Sequence, residues 1–352
     1  MKVGLYSLSC LASAIRHDSS FQPVENMEKY VIVFDAGSSG TRATAYKFEK
    51  TPLGWAHVPM GKPMSFSSEV NLAKDDIDNV RDSFSELTAS SKEGICGNAE
   101  CGTNVVVLID GTGGMRDITT SDQHLRMDLA KSIVGRAFPV VETAVIDGDT
   151  EARYMSRAIK ELVGGVPVVI DLGGASIQAV RTSDSQGGSW QGGGMNMFYY
   201  SHITPEVMHY CINDFHECSL LVMQGIMKDS HSSNDISDWF RLMAKLFLRD
   251  YRTYLVSGFM YTAMDIGLMK RGDNMVYHTV REIRAAAENA CRVGSEASKF
   301  TGRPRCFDGV YIYHLLTQVF GYRMDDTVTF MAAGEDGSPA SWSLGAAIDR
   351  LG

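Results

Sequence analysis

At 352 residues, 44% hydrophobic and 21% charged, the chain has the make-up of an ordinary globular protein and the length for two cored domains. Its formal net charge of -9 argues against a nucleic-acid binder, which needs a basic face, and no apolar run is long enough to span a bilayer. An acidic chain that handles anionic phosphates must neutralise them locally, with backbone N–H groups and a divalent cation.

Residues 1–14 carry one lysine and a modest apolar stretch that ends in Ala12-Ser13-Ala14, a pattern that fits both a weak secretory signal and an N-terminal arm. Tyr30-Val31-Ile32-Val33-Phe34 then reads as a buried strand. It runs into Asp35-Ala36-Gly37-Ser38-Ser39-Gly40, after which Thr41–Phe48 resumes a strand-like pattern. Val105–Ile109 is a second buried strand, ending in Asp110-Gly111-Thr112-Gly113-Gly114-Met115-Arg116, which sets a hydroxyl, glycines and a guanidinium just past a strand end. Asp122–Ala137 reads as a helix and Ala144–Ile146 as a short strand. Glu151 follows at a strand-to-helix turn ahead of a helix over Ala152–Leu162. There it either reaches into a cleft or is a solvated first-turn carboxylate favoured by the helix dipole.

The first pattern then recurs: Val166–Ile170 is an apolar strand, Asp171-Leu172-Gly173-Gly174-Ala175-Ser176 a small-residue turn, and Ile177–Val180 a returning strand. The two copies lie about one domain apart and predict a duplicated unit. Glycines let the backbone turn tightly and point consecutive N–H groups at an anion, and the hydroxyls add donors. The leading aspartates sit where they can hold a cation directly or through water. Neither turn is a P-loop or a Rossmann site, because no Gly-Lys-Ser/Thr follows and the next element is a strand.

Further on, Gly187–Gly194 reads as a surface connection and Met197–Ser201 as a strand. Asp238–Leu248 and Val276–Arg292 read as helices, and Trp342–Ile348 as a short apolar helix. Apart from Cys10, the cysteines fall into three couples, Cys96/Cys101, Cys211/Cys218 and Cys291/Cys306, which suits short-range disulfides in an oxidising compartment. Unrelated reduced thiols are the alternative. His209-x-Cys211…His216-x-Cys218 also admits a zinc site, although its spacing matches no standard finger.

Five segments in order resemble the apyrase, or nucleoside tri/diphosphate phosphohydrolase, family. They are Asp35-Ala-Gly-Ser-Ser-Gly-Thr-Arg42, Gly111-Thr-Gly-Gly-Met-Arg116, Gly148-Asp-Thr-Glu-Ala152, Asp171-Leu-Gly-Gly-Ala-Ser-Ile-Gln178 and Ser257-Gly-Phe-Met-Tyr261. Cys306-Phe-Asp-Gly309 and Ser341-Trp-Ser-Leu-Gly345 add to the match, which spans nearly the whole chain. The resemblance implies an α/β fold of two related actin-like (ribonuclease H-like) domains around a central nucleotide cleft. One would comprise 1–150 plus 342–352, the other 151–341. Residue by residue, it implies that Gly37, Ser38, Ser39, Gly40 and Thr41, with Gly173, Gly174 and Ala175, hold the phosphates. Asp35 and Asp171 would orient Ca2+ or Mg2+ through its waters, and Thr112 and Arg116 would line the same cleft. Glu151 would take a proton from a water positioned by Ser176 and Gln178, while Tyr261 and Tyr322 would stack on the base, each having core packing as its other reading.

The implied substrate is a nucleoside di- or triphosphate; a monomer is expected, and the signal-like segment and the three cysteine couples point to a secreted, periplasmic or lumenal protein, with the cytoplasm left open. There are departures: Gly111 and Gly113 replace the usual alanines, which predicts a looser loop, and Ile177 replaces a hydroxyl residue. Ala152 replaces a glycine, the aromatic expected shortly after Tyr154 is missing, and Gly148-x-x-Glu151-Ala152-Arg153 is closer to the exopolyphosphatase and guanosine pentaphosphate phosphohydrolase branch. Two alternatives therefore stand beside nucleotide hydrolysis: polyphosphate or an alarmone as substrate, or a non-catalytic nucleotide-binding switch on the same fold.

Overall fold

The repeat in the sequence folds as two mixed six-stranded sheets that follow one path. The computed structural model describes residues 27–61, 63–181, 187–203, 210–232, 251–294, 296–298 and 301–352. The N-terminal segment with Cys10, His209 and the helix expected over 238–248 lie outside the described residues. In the first sheet β1 (Glu28–Gly37), β2 (Gly40–Thr51) and β3 (Gly54–Val58) form an antiparallel meander, and β4 (Met64–Ser68) pairs with β2. β5 (Val105–Gly111) joins β1 in parallel, and β6 (Val140–Val145) joins β5. Helices α1 (Ile77–Cys96), α2 (Gly113–Arg116) and α3 (Thr120–Val134) make the connections, and α4 (Gly148–Val163) leads out of the sheet.

The second sheet repeats this plan. β7 (Val168–Leu172), β8 (Ser176–Arg181) and β9 (Gly187–Gln191) form the meander, and β10 (Thr253–Ser257) and β12 (Thr327–Met331) extend it in parallel. β11 (Met275–Thr279) closes the edge antiparallel to β12. The strand paths are β3-β2-β1-β5-β6 and β9-β8-β7-β10-β12. The central strands β5 and β7 are buried along their whole length, as expected of strands covered on both faces. The helices of this half are α5 (Met195–His202), α6 (Tyr210–Asn213), α7 (Phe215–Ser232), α8 (Gly258–Asp265), α9 (Val280–Val293) and α10 (Arg305–His314), which continues into a π-helical turn over Leu315–Val319. The last helix is α11 (Trp342–Leu351).

Three sequence expectations are corrected here. Met197–Ser201 is not a strand but part of α5, whose first-turn N–H groups bond the Gly173 and Gly174 carbonyls and whose buried Met195 and Phe198 lie three residues apart on one helical face. Val276–Arg292 is divided between β11 and α9, because Thr279 forms a capping box with Glu282 and starts the helix there. The described part of Gly187–Gly194 is no free connection, since it supplies β9 and then packs Gly194 against Ala175 and Ser176.

α4 packs on the second sheet, α11 on the first, and the two helices pack on each other, so one core runs between the sheets. It includes Val31 and Val33 of β1, Val169 of β7, Met155 and Ile159 of α4, and Trp342 and Leu344 of α11. The three cysteine couples stand at disulfide distance, and Cys211, Cys218, Cys291 and Cys306 are buried in the core of the second half. No described helix is long and apolar enough to cross a membrane.

Gly345 marks the tightest point between the two central helices, where a Cβ would overlap the backbone carbonyl of Tyr154. A carbonyl inside a helix cannot swing aside, so Gly345→Ala is expected to cost about 1–3 kcal/mol. A lower urea midpoint together with reduced turnover is the expected result, because α4 also carries Glu151. An unchanged midpoint would show that the contact yields.

Candidate active site

Parallel pairing brings the carboxyl ends of β1, β5, β7 and β10 to one cleft. Asp35 lies in register with Asp110, and Asp171 with Val256. The β1–β2 turn is Ser38-Ser39, flanked by the paired Gly37 and Gly40. Gly40 has φ +138°, and any side chain there would run into the Ser68 carbonyl, so only glycine closes this turn. Asn71 Nδ2 donates to the Ser38 carbonyl at 2.6 Å, holding the turn from behind. In the second loop, the first turn of α5 takes up the Gly173 and Gly174 carbonyls, each at 2.9 Å. The N–H groups of Ser38, Ser39, Gly174 and Ala175 have no acceptor among the described residues and are available to an anion.

The loops nearly touch. A Cβ on Gly174 would lie 2.6 Å from Ser38 Oγ and 2.8 Å from Ser39 Oγ; one on Gly113 would lie 3.0 Å from Ala175 Cβ, and one on Gly114 3.0 Å from Ser38 Cα. The glycines at 111 and 113 therefore do not loosen their loop: a Cβ at 111 would press on Met115 at 2.7 Å, and the one at 113 on the facing loop. Thr112, buried at the N-terminus of α2, sits beside Gly37.

Glu151 lies in the first turn of α4, and Asp147 caps that helix by accepting from the Thr150 N–H. Its Oε2 accepts from Arg116 Nη1 at 3.1 Å, Arg116 Nη2 at 3.2 Å and Gln178 Nε2 at 3.1 Å. Ser176 Oγ also accepts from Arg116 Nη2 (3.1 Å) and from Gln178 Nε2 (2.7 Å), which leaves its own O–H to donate outward. Arg116 completes its set with Ile146 O at 2.8 Å and Gln191 Oε1 at 3.2 Å. Burial raises the Glu151 carboxyl to about 8, against the opposing pull of Arg116, and the negative charges of Asp171 and Asp35 add to the rise. Asp35 and Asp110 are likewise raised to about 7 and Asp171 to about 6, burial being the first cause each time.

A divalent cation suits this setting. Asp171 is buried and its Oδ1 has no hydrogen-bond partner among the described residues, while Asp35 feels its charge across the cleft. The described residues hold no group of three or more His, Cys, Asp or Glu placed to ligate a metal. That donor set fits a hard cation that keeps most of its waters and takes its other ligands from substrate phosphates.

The structure thus brings Gly37–Thr41, Thr112, Arg116, Glu151, Gly173–Ser176, Gln178, Asp35 and Asp171 to one place. Tyr261 is near it, its hydroxyl accepting from Arg42 Nη2 at 3.4 Å. Tyr322 is not: its hydroxyl bonds Thr253 Oγ1 at the opposite end of β10 from the cleft, and its ring packs on the core of the second half. Sequence reasoning missed Asp110, Gln191 and Asn196. The in-phase ends of the first two strands could have revealed Asp110, but nothing local marks the other two.

Facing glycine-serine loops with a buried carboxylate between them, on duplicated sheets of this order, define a phosphohydrolase on the actin-like fold. The solved structures it resembles have that fold. They include an exopolyphosphatase from Cytophaga hutchinsonii (TM-score 0.62, 13% identity, 92% of this chain and 99% of that one). A PPX-GPPA enzyme from Aquifex aeolicus has TM-score 0.61 and 14% identity over 92% of this chain and 99% of that one. Nucleoside triphosphate hydrolases from Neospora caninum give TM-score 0.55 and 14% identity over 92% of each chain. More particularly, residues 21–190 match the GDA1/CD39 (nucleoside phosphatase) family. No curated protein matches the chain in sequence.

Arg116 is the strongest influence that lowers the proton affinity of Glu151. Replacing it with glutamine removes that pull, so the carboxyl gains its proton at still higher pH. The acid limb of the pH profile of kcat/KM is expected to move upward in Arg116→Gln; a limb at the wild-type pH would separate Glu151 from the titration.

Proposed function

We propose that this chain hydrolyses the terminal phosphate of nucleoside tri- and diphosphates, using water deprotonated by Glu151. The observation that carries the reading is the fixation of Glu151 by Arg116 and Gln178 at the gap between two loops whose N–H groups are unsatisfied. Every bond to this carboxylate falls on Oε2, which leaves Oε1 for the attacking water, and the outward O–H of Ser176 would help to position it. The water oxygen attacks phosphorus, its proton passes to Glu151, and the bond to the leaving phosphate oxygen breaks. Positioning and charge neutralisation do most of this chemistry, which the loop N–H groups and the hydroxyls of Ser38, Ser39 and Thr112 supply. Asp35 and Asp171 would hold a Ca2+ or Mg2+ ion, whose charge offsets that of the phosphates.

Nucleotides are favoured over polyphosphate by the state of the basic residues. A polyphosphate track needs a row of available cations. Instead Arg281 pairs with Asp325, Arg284 with Glu288, Arg303 with Asp308 and Arg305 with Glu296, while Arg292 bonds Asn289. Tyr261, held beside the cleft by the bond from Arg42, would stack on the base, and stacking tolerates any base. The three cysteine couples support residence in an oxidising, extracellular-type compartment.

Phosphate release from ATP, ADP, UDP, GDP and polyphosphate, each with Mg2+, Ca2+ or EDTA, tests the reading. Release from nucleotides that EDTA abolishes is the expected result; release from polyphosphate alone moves the chain to the exopolyphosphatase reading. In Glu151→Gln, turnover is expected to fall by about 10²–10⁴ with nucleotide binding retained. Normal turnover by that variant would remove Glu151 from the mechanism.

A further inference from the structure

One donor aimed into the cleft belongs to neither loop. Asn196, the second residue of α5, donates from Nδ2 to Ser39 Oγ at 3.3 Å, and a Cβ on Gly174 would meet the same nitrogen at 2.9 Å. Ser38 Oγ, Ser39 Oγ and Asn196 Nδ2 therefore converge on one point of the second loop. The backbone of Asn196 is tied to that loop as well, its N–H bonding Gly174 O at 2.9 Å.

The amide cannot turn over. Its Oδ1 accepts from Arg303 Nη1 at 2.9 Å, and a guanidinium only donates, so the oxygen must face Arg303 and the NH2 must face the cleft. Arg303 is itself buried and fixed: Nη1 also donates to Met195 O at 3.1 Å, and Nε to Asp308 Oδ1 at 3.2 Å. Asp308 is fully buried and also accepts from Thr301 Oγ1 at 2.6 Å. The guanidinium lies over the rings of Tyr199 and Phe307, at 5.4 and 5.7 Å. A buried ion pair is costly to assemble, and this one presents a single amide donor at the point where the two loops meet.

We propose that Asn196 is a further phosphate-binding residue, its Nδ2 donating to an oxygen of the terminal phosphate beside the hydroxyls of Ser38 and Ser39. Arg303 and Asp308 are its positioning residues. This rests on the reading that the cleft takes a nucleotide phosphate.

The test uses inorganic phosphate as probe, with Mg2+ present, and measures binding by calorimetry, melting temperature without phosphate, and kcat and KM with ATP. Asn196→Ala removes the donor. Asn196→Asp keeps the size, gains an ion pair with Arg303, and turns a carboxylate toward the phosphate. Phosphate affinity is expected to fall about ten- to a hundredfold in the alanine variant and further in the aspartate one, with a raised KM and no loss of melting temperature in the aspartate variant. Unchanged affinity in both variants of a protein whose wild type binds phosphate and releases it from ATP overturns the proposal and leaves the nucleotidase reading standing. A fall in affinity matched by a fall in melting temperature in both variants reduces Asn196 to a structural clasp and also overturns it. A wild type that neither binds phosphate nor releases it from ATP sinks the cleft reading and the proposal together.

Discussion

The arrangement turns on one electrostatic conflict: four carboxylates, Asp35, Asp110, Glu151 and Asp171, are drawn into a low-dielectric cleft that must also accept phosphate. All four hold their protons to higher pH than exposed carboxylates do, and burial is the first cause each time. Because their folded pKa values lie above the unfolded ones, the folded state binds the extra protons. Stability is therefore lost as pH rises from the ordinary carboxylate range toward neutrality. The chain offsets part of this itself, with Arg116 on Glu151 and Arg42 beside Asp35. The remainder is left for a cation and for the loop N–H groups.

Everything else in the fold serves the placement of these groups. Duplication sets two related hairpin turns at the same end of two sheets, and the parallel strands beside them add Asp110 and Thr112 from one half and Ser257 from the other. Ser257 adopts φ 56°, strained for a residue with a side chain, and its side chain lowers the proton affinity of the buried Asp171. The helices α4 and α11 then fix the distance between the sheets, and α4 carries Glu151 on its first turn. The close crossing at Gly345 is thus a constraint on the site as much as on the core.

What the sequence made legible was local. Both loops announced themselves because an anion cradle is built from consecutive small residues, and the two copies matched. Glu151 was readable only through its context, since a first-turn glutamate is otherwise ordinary. The aromatic run Met197–Ser201 carries strand propensity, yet docking of the helix N-terminus on Gly173 and Gly174 decided its form. Gln191 lies in the misread Gly187–Gly194 stretch and Asn196 just ahead of Met197; each reaches a partner in the facing half of the molecule, so no local pattern could mark them. Tyr322 has a sequence position that suits a base-stacking loop, and the fold sets its hydroxyl on Thr253, at the end of β10 away from the cleft.

Arg116 shows how far geometry can alter a role suggested by sequence. In the sequence it is a guanidinium just past a strand end that would line the phosphate cleft. In the structure its Nε goes to Gln191, Nη1 to Ile146 and Glu151, and Nη2 to Glu151 and Ser176. That engages all the donors a guanidinium has. A fully engaged guanidinium cannot bind phosphate without surrendering a bond to the proposed base or to Ser176. Its work here is therefore to hold Glu151 ionisable and in place. The capture of phosphate falls to groups that are still unsatisfied: the loop N–H groups, the hydroxyls, and the second hydrogen of the Asn196 amide. The division is chemically sensible, since a base must be held still with its proton affinity drawn down before the substrate arrives, whereas the phosphate needs donors that have not already been used.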